Sequence, residues 1–336
     1  QPKIVPVIID DKGSRASLAI TSHSIATQLY APDLVIVLSA GCTETSLKGN
    51  VFTLPLQDDW IAQVNELLTQ LNGAEWFYLL RAGDRLVESA LLMLADRVVN
   101  NEAIKCIYTD EGALHSGESA EPVFKPDFNL DLFRSYPFVG RCLAFDRESY
   151  LALGGFDSNH GELAPHDLLW RVYECHGERA VHHIADIVLE SQLTFAQWLS
   201  SASVVEQNAR VVGAHLQRSG IAYSIQPNVE TAVNKITYLH AERPLVSIII
   251  LHTDQLIALQ RCIESLLEKT AYPHFEVLIV DSGSISVEAR DWLSGIAQMN
   301  SDKLRVLEHS EPASVPTLRN FGAAHARGDY LLILST

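Results

Sequence analysis

Apolar residues in this chain fall into two patterns. Some form unbroken runs of five to eight, and others recur every three or four positions. Short continuous runs bounded by turn residues predict strands buried on both faces, and the spaced pattern predicts amphipathic helices. IVPVIID (4–10) reads as a strand. SRASLAITSHSIATQLY (14–30) reads as a helix with Ser14 at its N-cap. LVIVLSAG (34–41), VFTLPL (51–56) and WFYLL (76–80) are further strands. WIAQVNELLTQL (60–71) and VESALLMLADRVVNN (87–101) are helices, and IKCIYTDE (104–111) is extended. This alternation predicts an α/β fold with a mostly parallel sheet and helices on both faces. Ligands of such sheets bind beyond the carboxyl ends of the strands.

From about residue 191 the pattern turns helical and polar (FAQWLSSASVVEQNARVVGAHLQRSG, 195–220) and is expected to be a connector. A second α/β series then starts. Its strands are RPLVSIIIL (243–251), FEVLIVDSGS (275–284), LRVLEHS (304–310) and GDYLLILST (328–336), and its helices start near 257, 287 and 315. The expected organisation is therefore a first domain over 1–190, a helical connector over 191–242 and a second unit over 243–336. GAEWFYLLRAGD (73–84) and RGDYLLILST (327–336) echo each other, with Ser335 matching Arg81. The counterpart of Asp84 would fall two residues beyond Thr336, so the second unit is expected to be truncated.

Charge and cysteine content narrow the function classes. A formal net charge of −16 disfavours non-specific nucleic-acid binding. The five cysteines (42, 106, 142, 175 and 262) form no CxxC pair, which predicts reduced thiols rather than a zinc knuckle or disulfide framework. No apolar run approaches the ~18 residues of a membrane span, and QPKIVPVIID lacks the features of a signal peptide. A cytoplasmic protein is expected, with peripheral contact at the inner membrane as an option. No GxGxxG follows the first strand, which weighs against a dehydrogenase, although another nucleotide-binding class such as a nucleotidyltransferase stays open.

PLVSIIILHTDQLIALQRCIESLLEKTAYPHFEVLIVDSGS, followed by LRNFGAAHARGDYLLIL, resembles the start of family 2 glycosyltransferases of the GT-A fold. The likeness is greatest to those that build bacterial surface polysaccharides. The first unit is similar from about residue 73 to 189, through WFYLLRAGD, IYTDEGAL, EPVFKPDFNLDLF, GGFD and HDLLWRV. The resemblance implies a GT-A (Rossmann-like) module followed by the nucleotide-binding half of another. It also implies a nucleotide-sugar donor, UDP- or dTDP-linked, a divalent metal (Mn or Mg), and inverting transfer to a glycan or lipid-linked acceptor. The alternative is a catalytically degenerate module that positions an acceptor or a partner domain within a larger glycosyltransferase. A metal offsets the charge of the departing diphosphate, and a carboxylate facing the acceptor hydroxyl takes its proton.

The resemblance also assigns residues. The metal motif falls on Arg81, Gly83 and Asp84, leaving Asp84 as the single carboxylate. Asp84 is a candidate metal ligand or a cap for the helix starting near Val87. Arg81 is either a phosphate contact or a solvated surface residue. The usual base position holds Pro165, so Asp167 is the candidate base, with His166 beside it. A helix-N-terminal Asp favoured by the macrodipole is the alternative, and His166 by itself reads as a surface residue. Asp110 and Glu111 occupy a strand end near the implied donor site or a solvated turn. Gly154 and Gly155 read as a helix stop at positive φ that would also border the sugar cleft. Lys125 meets a phosphate or holds a loop, and the adjacent His182 and His183 point to opposite faces as structural residues. In the second unit Asp281, Asp254, Arg319 and Asn320 match donor-binding positions, while Asp10 and Asp11 end the first strand of the chain.

Overall fold

A computed structural model describes residues 2–41, 49–115, 118–252 and 255–335. The chain divides into two compact units, Gln1–Leu239 and His240–Thr336.

The first unit opens with β1 (Ile4–Asp10), α1 (Arg15–Ala26), β2 (Val35–Ser39), β3 (Val51–Pro55), α2 (Trp60–Gln70) and β4 (Trp76–Arg81). It continues through β5 (Arg85–Leu86), α3 (Ala90–Asn100), β6 (Cys106–His115), β7 (Glu118–Val123), α4 (Leu130–Ser135), β8 (Ala144–Asp146), α5 (Arg147–Ala152) and α6 (Ala164–His176). It closes with β9 (Val181–Ser191), α7 (Phe195–Leu199), α8 (Ala202–Arg218) and the hairpin β10 (Tyr223–Asn228) and β11 (Val233–Tyr238). The main sheet runs β3-β2-β1-β4-β8-β6-β9-β5, with β7 on β6. β1, β2, β3 and β4 are parallel, as are β6 and β9, whereas β8 runs antiparallel to both neighbours.

Strand residues divide by the two-residue period of the pleat. Val5, Val7, Ile9, Phe77 and Leu79 face one core with Ile61 and Val64 of α2. Ile4, Ile8, Tyr78 and Leu80 face the other with Leu18 of α1 and Leu91 and Leu94 of α3. Helices therefore cover both faces, and the α/β class expected from the alternation holds.

Residues 191–239 correct the connector reading. Trp198, Val204, Val211, Val212 and Leu216 are buried in the same core as α2 and α6. The apolar stripe of α8 was masked by its many polar residues, but it is continuous along one face and packs as any amphipathic helix does. This segment is part of the first unit's core.

The second unit comprises β12 (Val246–His252), α9 (Leu256–Lys269), β13 (Phe275–Asp281), α10 (Val287–Gln298), β14 (Leu304–Glu308), α11 (Val315–His325) and β15 (Tyr330–Leu334). Its all-parallel sheet runs β14-β13-β12-β15, the order that β3-β2-β1-β4 shows in the first unit. Ile248, Ile250, Val277 and Ile279 pack against α9 and α10, and Ile249, Leu278 and Val280 pack against Leu318 of α11. Gly322 lets α11 lie close to the sheet, since a Cβ there would sit 2.7 Å from Cγ2 of Ile249.

Candidate functional site

A cleft of about 240 Å³ opens at the carboxyl ends of β1 and β4, where the sheet geometry places ligand sites. Asp10, Asp11, Lys12, Ser14, Ser17, Arg81 to Asp84, Arg141, Glu162, Ser191, Gln192 and Leu193 line it. Helix α1 starts here because Ser14 accepts a hydrogen bond from the Ser17 amide at 3.2 Å. The β4 tip is pinned to α1 by the Gly83 amide, which donates to the Ser17 carbonyl (3.0 Å) and to Thr21 Oγ1 (2.9 Å). Gly83 sits at φ 103°, and a Cβ there would lie 2.6 Å from Gln192 Oε1, so the turn needs glycine.

Asp84 lies in this cleft but is only 2% exposed. Its Oδ2 accepts from the Arg81 amide (2.7 Å) and from the Cys142 thiol (3.2 Å). Its Oδ1 accepts from Ser191 Oγ and lies 3.7 Å from Arg141 Nη2. Burial, with the Asp84 charge next in size, pushes the Cys142 thiol well above its usual range. With both oxygens engaged by protein donors, the residues present do not fit a metal ion at Asp84. Among the described residues no group of three His, Cys, Asp or Glu side chains could hold one. Asp84 does not cap α3 either, because it closes the turn back onto Arg81. Asp10 is engaged as well, accepting from the Ser14 amide (3.1 Å) and Ser39 Oγ (2.7 Å).

The cationic side of the cleft is less committed. Arg81 stacks over the Trp60 ring at 4.7 Å. Its guanidinium makes no hydrogen bond or ion pair among the described residues, and burial lowers its pKa from the ordinary arginine value against the raising fields of Glu162 and Asp11. Arg141 donates through Nη2 to Ser191 Oγ (2.5 Å) and to the Leu193 carbonyl (3.0 Å). Burial alone would lower the Arg141 pKa, but the field of Asp84 first, then Cys142, Glu111 and Glu162, raises it overall.

The other first-unit candidates lie outside the cleft's walls. Asp167 is 2% exposed, with Oδ2 accepting from Arg171 Nε at 2.8 Å and Oδ1 from Arg218 Nη1 at 3.0 Å. Two guanidinium partners therefore hold this carboxylate inside the unit. Its neighbour His166 is 1% exposed between the rings of Phe133 and Trp198, so it is a core residue rather than a surface one. Burial first, then the nearby Lys125, lowers its pKa to about 3, so the ring is neutral. The face it shares with Trp170, four residues on, was the available signal.

Asp110 and Glu111 are also engaged internally, and at 3% and 4% exposure they do not form a solvated turn. Asp110 Oδ1 accepts from the Lys125 amide (2.8 Å) and bonds His183 Nε2 (2.9 Å), while Glu111 pairs with Lys125 Nζ at 3.0 Å. Lys125 and His183 are thereby structural. Gly154 and Gly155 end α5 at φ 84° and 74°. Arg171 donates to the carbonyls of Leu153 (2.6 Å) and Gly155 (2.7 Å), so these glycines shape a loop that is tied to α6.

In the second unit Asp281 ends β13 beside His252 in register. It is 8% exposed. Its Oδ1 accepts from Ser284 Oγ (2.5 Å) and the Ser284 amide (3.2 Å), and Oδ2 has only a 3.4 Å contact with that amide. Arg319 and Asn320 are exposed on α11. Asp254 lies outside the described residues.

Residues 247–335 match the family model for glycosyl transferase family 2. The match coincides with the parallel sheet of the second unit. The chain is similar to O-antigen biosynthesis protein RfbC of Myxococcus xanthus, 28% identical over 340 aligned positions that cover 96% of this chain and 26% of RfbC. It is also similar to the uncharacterized protein y4gI of Sinorhizobium fredii (strain NBRC 101917 / NGR234), 25% identical over 282 positions, 82% of this chain and 31% of y4gI. The chain thus spans less than a third of the length of these curated relatives. Among solved structures, S. aureus TarS 1-349 in complex with UDP overlays with a TM-score of 0.46 at 11% identity, covering 64% of this chain and 65% of that one.

Proposed function

We propose that this chain is part of a glycosyltransferase of bacterial surface-polysaccharide assembly. It would move a sugar, with inversion, from a UDP- or dTDP-linked donor to a glycan or lipid-linked acceptor. The observation that carries the reading is the family match over 247–335, which falls on a parallel sheet with Asp281 at a strand tip. Asp281 Oδ2 keeps lone pairs for a nucleoside hydroxyl or base N–H, while Ser284 fixes the rotamer through Oδ1. Arg319 and Asn320, exposed on α11, are proposed to approach the diphosphate of the same donor. The GT-A fold, the repeat of one module in two units and a cytoplasmic, inner-membrane-peripheral location belong to this proposal. Among the described residues no helix is long and apolar enough to cross a membrane.

A second reading concerns the first unit. With Asp84 and Asp167 held by internal partners, this unit is favoured as a module that positions glycan or protein rather than one that catalyses transfer. Transfer by the parent protein is then expected to survive Arg171- and Arg218-preserving changes outside the second unit.

Calorimetric titration of UDP, dTDP and GDP into the chain tests the donor reading. A hydrogen bond to a charged group contributes about 1.5–3 kcal/mol, so Asp281→Ala is expected to weaken nucleotide binding about tenfold or more. Silence across the panel, or equal affinity in the variant, removes the second unit as a donor site.

A further inference from the structure

We propose that the first unit's cleft binds a diphosphate group directly through Arg81 and Arg141, without a metal ion. The proposal does not depend on the second unit. It starts from the failure of Asp84 to fit a metal. A metal at a diphosphate supplies positive charge and fixed geometry, and a planar guanidinium with several aligned donors supplies both by another route.

Arg81 is the central observation. Its guanidinium lines the cleft, rests on Trp60 at 4.7 Å and makes no hydrogen bond or ion pair among the described residues. A half-buried guanidinium without an acceptor has lost water and gained only a ring face, so an anion in the cleft would supply what the protein does not. Arg141 adds a second cation to the lining of the same space. All its hydrogen bonds among the described residues run through Nη2, which leaves Nη1 and Nε as donors. Asp84 and Ser191 hold that guanidinium in place, so its orientation is set before any ligand arrives. Of the carboxylates that line the cleft, Asp10 and Asp84 are each engaged by protein donors, whereas Asp11 and Glu162 act on Arg81 only through their fields and make no ion pair with it. Two guanidinium groups lining one cleft suit a ligand with two linked phosphoryl groups better than a single carboxylate.

Such a group is carried by a nucleoside diphosphate and by an isoprenoid diphosphate, and the test separates them. The intact chain is titrated with inorganic pyrophosphate, UDP and farnesyl diphosphate in EDTA, following heat and tryptophan fluorescence. Binding without metal is expected, with a fluorescence change that is lost in Trp60→Phe. Arg81→Gln should weaken it at least tenfold while changing the melting temperature little, because the Arg81 guanidinium touches the Trp60 ring but makes no hydrogen bond or ion pair among the described residues, and Arg81→Lys should restore part of the loss. Binding should also persist in Asp281→Ala, which separates this site from the proposed donor site. Tighter binding of UDP than of pyrophosphate identifies the nucleotide source, and tighter binding of farnesyl diphosphate identifies the lipid source. Absence of binding in EDTA, strict dependence on added Mn²⁺, or equal affinity in Arg81→Gln overturns the proposal.

Discussion

At the scale of single residues, Asp84 and Arg141 form a buried unit whose two halves need each other. Removing the carboxylate strands the Arg141 guanidinium and leaves the Arg81 amide, the Cys142 thiol and Ser191 without their acceptor. Breaking one side of a buried pair costs about 3–5 kcal/mol, so Asp84→Ala should lower the unfolding free energy of the first unit by about that amount, read as a lower urea midpoint. A solvent-facing metal ligand would behave in the opposite way, with the variant neutral or slightly more stable. The position of Asp84 at a strand tip was legible in WFYLLRAGD, because a parallel strand must end at the ligand-facing edge. Its partners were not. Cys142 and Ser191 lie 58 and 107 residues away in sequence, and no local pattern announces a contact of that range. The same holds for Asp167. Its helix-N-terminal place could be read, but the distant Arg218 that captures one oxygen could not. Arg141 and Glu162 were missed for a related reason, since one stands in a loop and the other in the short 3-10 helix Ser158–Leu163, neither with a periodicity to give it a direction.

At the scale of elements, the strands and helices followed the hydrophobic pattern closely, since a strand covered on both faces must be apolar throughout. Ser14, read as an N-cap, caps α1. Helix α8 was recognised as helical but not as core, because its polar content hid the stripe that meets α6. In the second unit a single carboxylate ties elements together. Glu276 of β13 accepts from Ser247 Oγ of β12 (2.7 Å), from Arg305 of β14 (2.8 Å) and from the Arg327 amide before β15 (2.8 Å). Burial opposes its charge, but the bonds from Ser247, Arg327 and Arg305 outweigh burial and lower its pKa. A lowered folded-state pKa stabilises the protein above the ordinary glutamate value of about 4.3 and gives up that stability as pH falls through and below it. Melting followed at Trp292, the one tryptophan beyond residue 239, should therefore drop on acidification. Glu276→Gln should melt lower than wild type at pH 7 and show a flatter acid response. An unchanged acid response in that variant would rule out the clamp.

At the scale of the whole molecule, two units each enclose their own apolar clusters. The division falls at Leu239, after the β10–β11 hairpin rather than at the end of β9. The sequence pattern started the second unit at 243, three residues from its observed start at His240, but ended the first domain at 190, because only packing shows that α7 and α8 complete the first core. Residues 1–239 expressed alone should unfold in a single cooperative urea transition, while a fragment ending at 190 should expose Trp170 and bind the dye ANS. The repeated strand order of the two units was visible in the sequence as matching aromatic-apolar runs, because both sheets place an apolar strand beside the first one. Strand β15 bears on handling. It forms a margin of the four-stranded sheet, with Tyr330, Leu331, Leu332 and Ile333 between 43% and 62% exposed. An apolar edge is adhesive wherever nothing covers it, so residues 1–336 kept by themselves at high concentration should cloud with time, and lysine in place of Leu331 should keep them clear.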